Sequence, residues 1–510
     1  MPSSHKTHPL ITGTILLTAA GLLSRVLGFF YRIFLSRTIG AEGLGIYQMI
    51  FPVYGIFFSL CAGSIQTAIS RFTAADPDHA KRTLLSGFSL SFAMSLAAAF
   101  VIRHFSGPLA EHVLMEPRCA PLLSVMAFAI PCTSVHACIC GYYYGKEKVS
   151  VPAAAQLFEQ MIRIFTVFLL ASVCIEKRIP VTVSLAVFGL VAGEAGSALF
   201  VLIFFLLFHE FHENTGRSYS VGQSGNLFSP MAALLALAAP LMANRLVLNL
   251  LQSTETIMIP ERLTVYGLTR SQAVRTYGTL TGMAMPFVLF PSALVNSLAV
   301  VLLPVTARHQ SAGNDSGIAD GISMAFRYSL YLGIFCVGVF TVFGEALGLQ
   351  IFKSQDAGSF IQILAWLCPF LYLATSSGSI LNGLGKTKLT FFHHLISLLV
   401  RIAFVWFGIP EVGIRACLWG MLASEILLAL LHILALRRIV PCDWNAWILI
   451  GKPVFCLLCA LWLFRLFPET LPLPAGLPDF FRTAVQILLL STMYLLFLLF
   501  FHRKQSPAST

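Results

Sequence analysis

Two guanidinium groups stand where bare hydrocarbon is expected. In "LLSRVLGFFYRIFLSRTIGAEGLG", Leu22 to Gly45, Arg25 and Arg32 interrupt an apolar run. They are seven residues apart, two helical turns, so they share one helix face, with Ser24 and Gly28 beside Arg25. A charge at bilayer depth costs roughly 2.5–3.5 kcal/mol on insertion scales. Such a face has to meet water, a ligand or a counter-charge. Arginine presents a planar fork that binds phosphate with two parallel hydrogen bonds. The chemistry open to these residues is therefore anion capture.

Other charges fall inside apolar segments. Arg163, Arg245 and Arg401 do so, as do Glu159, Glu194, Glu255 and Glu425, whereas every aspartate lies in a loop or at a span end. Glu159 and Arg163 are at i,i+4 and can pair within one helix. Glu194 and Glu425 are expected to hold neighbouring helices, through Arg163 and Arg401. Glu255 stands near an outer helix end, where lining a cavity and packing are both open to it. Arg25, Arg32 and Arg245 have no acid close by in their own helices and are expected to line a cavity. Arg71, which closes the second span, and Asn296 in the eighth complete the secondary cavity or packing candidates. A surplus of arginine suits a phosphate-bearing substrate. A cation exporter would instead carry surplus acids in its spans.

Metal, redox and bond-making chemistry find no support. "HEFHE" at 209–213 lacks the HExxH spacing of a zinc site. The twelve cysteines show no repeated CxxC pattern and read as small buried or lipid-facing residues. Acidic loop motifs and a large outer domain, expected of a membrane glycosyltransferase, are missing, and "DPD" at 76–78 reads as a turn. The expectation is a protein that is not an enzyme and needs no metal or cofactor. No coupling ion is located.

The elements that must position these side chains are membrane spans. The chain has 510 residues, 57% hydrophobic and 11% charged, against about 25% charged in an average soluble domain. One crossing takes about 20 apolar residues. Apolar segments near 10–35, 43–68, 83–105, 120–144, 152–174, 181–208, 230–258, 277–304, 322–343, 359–384, 389–408, 412–436, 446–466 and 481–501 predict fourteen spans. The first apolar run, from residue 10 to residue 35, is too long for a signal-peptide core of about 7–15 residues and reads as a retained helix. An even count puts both termini on one side. Lys6, Lys81, Lys146, Lys148, Lys386, Lys388, Lys452 and Lys504 lie near the same set of loops, and only Lys177 and Lys353 near the other. By the positive-inside rule both termini are cytoplasmic, although Arg262, Arg270 and Arg275 weaken the bias. The scattered basic residues behind the net charge of +11 imply no nucleic-acid partner.

The chain also repeats itself. "GKEK" at 145–148 recurs as "GKTK" at 385–388, "FP" at 51–52 recurs at 290–291, and Pro131 has a partner in Pro369. Arg163–Ile164 recurs as Arg401–Ile402, "GLVAGE" ending at Glu194 resembles "GMLASE" ending at Glu425, and Arg71 corresponds to Arg308. The order is kept at offsets of 231 to 240 residues. A duplicated six-helix unit follows, its copies related by an axis along the membrane normal because each holds an even number of spans. The reading is an all-α polytopic membrane protein of about 14 transmembrane helices, with two parallel-repeat six-helix lobes plus two C-terminal helices. The lobes are 1–208 and 230–438, joined by a polar cytoplasmic linker, 209–229. Residues 439–510 hold spans 13 and 14, expected to face lipid as a bland appended pair, and the tail. Two bundles and a linker make a transporter's plan. Pro52, Pro131, Pro286, Pro291 and Pro369 kink its spans, as hinges or as static curvature.

"SRVLGFFYRIFLSRTIGAEGLGIYQMIFPVYGIF" resembles the first two helices of MviN/MurJ-type flippases in the MOP (MATE-like) exporter superfamily. "PLMANR" at 240–245, "IPERLTVYG" at 259–267 and "YGTLTGMAMPFVLFPSALVNSLAVVLLP" at 277–304 resemble the stage V sporulation protein B branch. The resemblance implies two six-helix lobes in a V and a groove for a lipid tail at spans 13 and 14. It implies an undecaprenyl-pyrophosphate-linked saccharide as substrate, lipid II favoured, moved across the bacterial cytoplasmic membrane for peptidoglycan, spore cortex or polysaccharide synthesis. Cell-wall synthesis enzymes are possible partners. Arg25 matches the family arginine of "SRVLGF", and Arg32 follows the sporulation branch. The MurJ pattern has a further arginine in span eight; Gly282, Met283 and Ala284 stand there, and Arg245 is the candidate replacement. Two alternatives stay open: a MATE-type drug/cation antiporter, against which the basic spans argue, and a non-transporting scaffold in cell-wall assembly.

Overall fold

The computed structural model describes residues 9–207, 228–440, 444–466 and 478–503. All regular structure among them is helical. Twelve helices are long and apolar enough to cross a membrane, thirteen with one bent pair. One of the twelve, Leu16–Ala75, runs for 60 residues. At 1.5 Å per residue that is about 90 Å, enough for two crossings of a ~30 Å core. Counted as two, it brings the passes to the expected fourteen.

By internal packing the chain divides into two compact units, 1–261 and 262–510. The first holds α1 (Pro9–Met49), α2 (Phe51–Phe58), α3 (Ser64–Ala75), α4 (Ala80–His104), α5 (Ala120–Met126), α6 (Ala129–Gly145), α7 (Ser150–Glu176), α8 (Ser184–Leu207) and most of α9 (Phe228–Val265). The sequence predicts a loop between spans one and two. A single residue breaks the helix instead: Gly40, at φ 72° and ψ −179°, a conformation glycine adopts without a Cβ clash. Just beyond it, Glu42 accepts from Arg118 Nη1 at 2.5 Å, and Arg118 Nε reaches the buried Glu116 at 2.6 Å. That pairing ties the start of span two to the start of span four. Helix α9, expected to open the second lobe, buries Leu234, Ala238 and Met242 among Ile65, Ile69 and Leu84 of the first unit. The expected linker falls outside the described residues, apart from its last two positions.

The second unit holds α10 (Arg270–Gly278), α11 (Met285–Leu289), α12 (Ser292–Ser311), α13 (Asp315–Phe352), α14 (Gln355–Leu364), α15 (Cys368–Gly383), α16 (Thr387–Ala403), α17 (Ile414–Ile439), α18 (Lys452–Leu466) and α19 (Asp479–Arg503). Span eight, expected at 277–304, is interrupted at Phe290–Pro291 and extends to Ser311. Phe290 and Pro291 keep α-region dihedrals, and the ladder breaks because Pro291 has no N–H to donate. Spans 13 and 14 are more than an appended apolar pair. Tyr494 Oη donates to Tyr331 O (3.1 Å), Tyr331 Oη to Ile448 O (3.0 Å) and Gln350 Nε2 to Thr483 Oγ1 (3.0 Å), fastening both to α13.

The duplication is visible in three dimensions. Helices α5 and α6 meet at 44°. Pro131 cannot donate to Ala127, and Ile130 N bonds Ala127 O one residue early. Its counterpart behaves alike: Cys368 N bonds Ala365 O just before Pro369. Ser91 and Ser134 share a hydrogen bond of 2.6 Å between α4 and α6; Ser329 and Ser376 share one of 2.9 Å between α13 and α15. A Cβ added to Gly145 would meet Ser70 O at 2.7 Å, and one added to Gly383 would meet Leu303 O at 2.7 Å. In both units small residues let span four approach span two, or span ten span eight, at backbone distance.

Candidate functional site

The first unit carries a charged network on four spans. Glu159 and Arg163 pair one turn apart on α7. Glu194 of α8 places Oε1 3.8 Å from Arg163 Nη2. Tyr54 of α2 donates to the same oxygen at 3.0 Å and lies 3.0 Å from Thr133 Oγ1 of α6. Ser197 Oγ sits 3.3 Å from His136 Nδ1. Gly189, which a Cβ would bring to 3.2 Å from Arg163 O, lets α8 close on α7.

Glu194 thus bridges α8 to Arg163 of α7 and Tyr54 of α2. Two carboxylates share one guanidinium, a fit for a dry interior because buried charges persist when paired and hydrogen-bonded. His136, Glu159 and Glu194 bring ligand atoms within 4.8 Å of one another, a donor set that could hold a cation. Arg163 already supplies the positive charge between the carboxylates. Tyr54, Thr133 and His136 were not singled out by the sequence. Thr133 and His136 are one turn apart in an apolar span, and that polar pair was the available signal.

Arg32, half-buried on α1, interacts with Tyr31, Tyr47 and Arg163, so it borders this network. Arg25 lies two turns earlier and is exposed. Helix α1 meets α7 between them: a Cβ on Gly28 would be 3.3 Å from Gln160 Nε2. Arg245 of α9 is also exposed and docks on a π-helical turn, Ser59–Gly63. Its Nη2 donates to Thr67 Oγ1 at 3.3 Å, and a Cβ on Gly63 would lie 2.6 Å from Nη1. One turn on, Asn249 Nδ2 donates to Ser59 Oγ (2.5 Å) and Gly55 O (3.2 Å). Such turns widen the backbone and recur at functional sites. Asn249 was missed because a lone amide in a span carries no periodic signal. Among the described residues no carboxylate lies within 4 Å of Arg25 or Arg245.

The remaining candidates are dispersed. Glu255 is buried at 5% exposure. Arg71 is exposed. Asn296 donates to Ser292 O in its own helix at 2.9 Å. Arg401 and Glu425 are half-buried on α16 and α17. Their seam matches the first unit's: Gly420, the counterpart of Gly189, would carry a Cβ 3.7 Å from Arg401 O.

Paired helices, a twofold repeat and intramembrane charge define a multi-pass membrane protein with a transporter fold. The lipid II flippase MurJ in an inward closed conformation matches 96% of this chain and 99% of its own, at a TM-score of 0.73 and 16% identity. An inward-facing multidrug resistance MATE family transporter of the MOP superfamily covers 83% of this chain and 97% of its own, at a TM-score of 0.62 and 14% identity. The chain belongs to the polysaccharide biosynthesis protein family, whose pattern matches residues 10–310. Stage V sporulation protein B of Bacillus subtilis is 26% identical to it over 439 residues, 84% of each chain.

Proposed function

We propose that this protein is a flippase for an undecaprenyl-pyrophosphate-linked saccharide, lipid II favoured, in the bacterial cytoplasmic membrane with both termini cytoplasmic. The observation that carries the reading is the charge balance of the spans. Arg163 is matched by Glu159 and Glu194, whereas Arg25 and Arg245 meet no carboxylate within 4 Å among the described residues. Arg25, Arg32 and Arg245 receive the pyrophosphate as paired hydrogen-bond donors. The saccharide follows by alternating access, and the prenyl tail stays in hydrocarbon. A hollow of about 650 Å³ lined by Leu463, Met493, Leu496, Phe497, Leu499 and Phe500 suits such a tail. No bond is made or broken, so no cofactor is required. An inside-negative potential favours outward movement of an anion, by about 2.3 kcal/mol per charge per 100 mV.

The test is reconstitution in vesicles with labelled lipid II, scoring its outward exposure. Wild-type protein is expected to expose the lipid, and Arg25→Ala to stop it while inserting and folding normally. Full exposure with Arg25→Ala and Arg245→Ala overturns the reading. A scaffold would expose none even as wild type. A drug/cation antiporter would move cations and leave lipid II in place.

A further inference from the structure

The second unit holds a polar cluster that flipping a lipid leaves unused. His432 of α17 faces His393 and His394 of α16, with ring centroids 5.1 and 5.7 Å away. His432 is fully buried and His393 is 7% exposed. Nδ1 of His432 lies 3.2 Å from Ala374 O. A carbonyl only accepts, so Nδ1 carries the hydrogen and Nε2 is left with its lone pair. That Nε2 has no hydrogen-bond partner, and neither does Nδ1 of His393, also buried. Space for the ring is made by Gly378, where a Cβ would sit 3.1 Å from His432 Cε1.

Packing alone does not explain three imidazoles here. At the repeat offsets of 238 and 231 residues, His393, His394 and His432 correspond to Ala155, Gln156 and Val201. Ala155 and Val201 are fully buried. The two buried histidine positions are thus apolar in the first unit, and the second copy carries there two buried nitrogens without hydrogen-bond partners. A metal does not account for them: the one group of His, Cys, Asp and Glu ligand atoms close enough to share an ion, among the described residues, is His136, Glu159 and Glu194.

We propose that His432 and His393, with His394 beside them, form a proton-binding site, in which one added proton held between the two buried rings supplies the nitrogens left open in the neutral state. Imidazole is the side chain that changes charge near neutral pH. A first proton turns a lone-pair nitrogen into a donor for its neighbour, and like-charge repulsion opposes a second. His393 and His394 are the titratable groups that act on His432. Helix α15 packs on the other side with Ala374 and Gly378. Its own titratable residues are Cys368 and Tyr372, and Tyr372 Oη is taken up by Val288 O at 2.9 Å. Glu425 lies seven residues before His432, with Arg437 and Arg438 beyond it, and Lys388 and Arg401 flank the pair on α16. His394 is exposed and stands seven residues into its helix, about 10 Å along the axis. The consequence for transport rests on the flippase reading: occupancy of the site links the rate to pH.

The site is tested first without any lipid substrate. Full-length protein labelled with ¹⁵N-histidine is placed in lipid nanodiscs and followed by solid-state NMR from about pH 8 to about pH 5, the range in which histidine titrates. His432 and His393 signals, assigned with His432→Gln and His393→Gln, are expected to titrate as one coupled step, and each substitution to displace the other ring's step. Rings that stay neutral throughout, or titrate independently, overturn the proposal. Should either buried variant fail to fold, His394→Gln at the exposed position is expected to displace the same step, and an unmoved step contradicts the shared proton. Lipid II exposure is then compared across pH. Wild type is expected to change by up to about tenfold per pH unit, the limit for one linked proton, and His394→Gln to flatten the profile. An unaltered profile beside a coupled titration overturns the link to transport and leaves the flippase reading standing.

Discussion

The α7–α8 seam of the first unit and the α16–α17 seam of the second are copies of one another, and they have diverged in chemistry while keeping their packing. Each has an arginine on its first helix, a glutamate on its second, and a glycine that brings the second helix to the arginine's carbonyl. The first seam gathers its polar groups around one guanidinium, with Tyr54 donating to one oxygen of Glu194 and Thr133 bonded to Tyr54. The second adds imidazoles with open nitrogens. Backbone approach and small-residue contacts are thus the inherited part, and the titratable groups are where the halves differ.

The comparison can be broken by substitution. Arg163→Ala leaves the buried Glu194 and the half-buried Glu159 without their cation, and is expected to cost about 3–5 kcal/mol, the largest effect here. Denaturation of the detergent-solubilised protein measures it, and a small loss would show that the first seam does not depend on its charge network. Tyr54→Phe removes one hydrogen bond to a carboxylate and should cost about 1.5–3 kcal/mol in the same assay. The inherited part is sharpened by Ser91→Ala and Ser329→Ala, each expected to cost about 1 kcal/mol. Unequal losses at these two positions would mean that the two halves do not pack alike. The smallest change is expected for Arg25→Ala, within about 0.5 kcal/mol in stability, because no carboxylate is left behind.

Much of this architecture was legible in the residues. Hydropathy located the spans because lipid demands about 20 apolar residues per crossing, and "GKEK" with "GKTK" and Pro131 with Pro369 exposed the repeat. Glu159 and Arg163 were legible as a pair because they sit one turn apart. What stayed hidden were bonds across great sequence distance. Tyr54 and Glu194 are 140 residues apart, and Arg245 and Thr67 are 178 apart. Neither pairing leaves a periodic trace. The serine pairs were equally silent, since a buried serine in a span looks like any small residue. Gly40 was hidden for the opposite reason: the polar letters around it suggested a loop, yet one glycine at positive φ was enough to break the helix.

The central claim is that span arginines without acidic partners hold a pyrophosphate. Its most direct test is the affinity of the purified protein for undecaprenyl pyrophosphate, set against undecaprenol. Wild type is expected to prefer the pyrophosphate, and Arg25→Ala or Arg245→Ala to weaken it by about tenfold or more, the equivalent of one charge-assisted hydrogen bond, with undecaprenol binding unmoved. Equal affinity of wild type and both variants for the pyrophosphate would contradict the account.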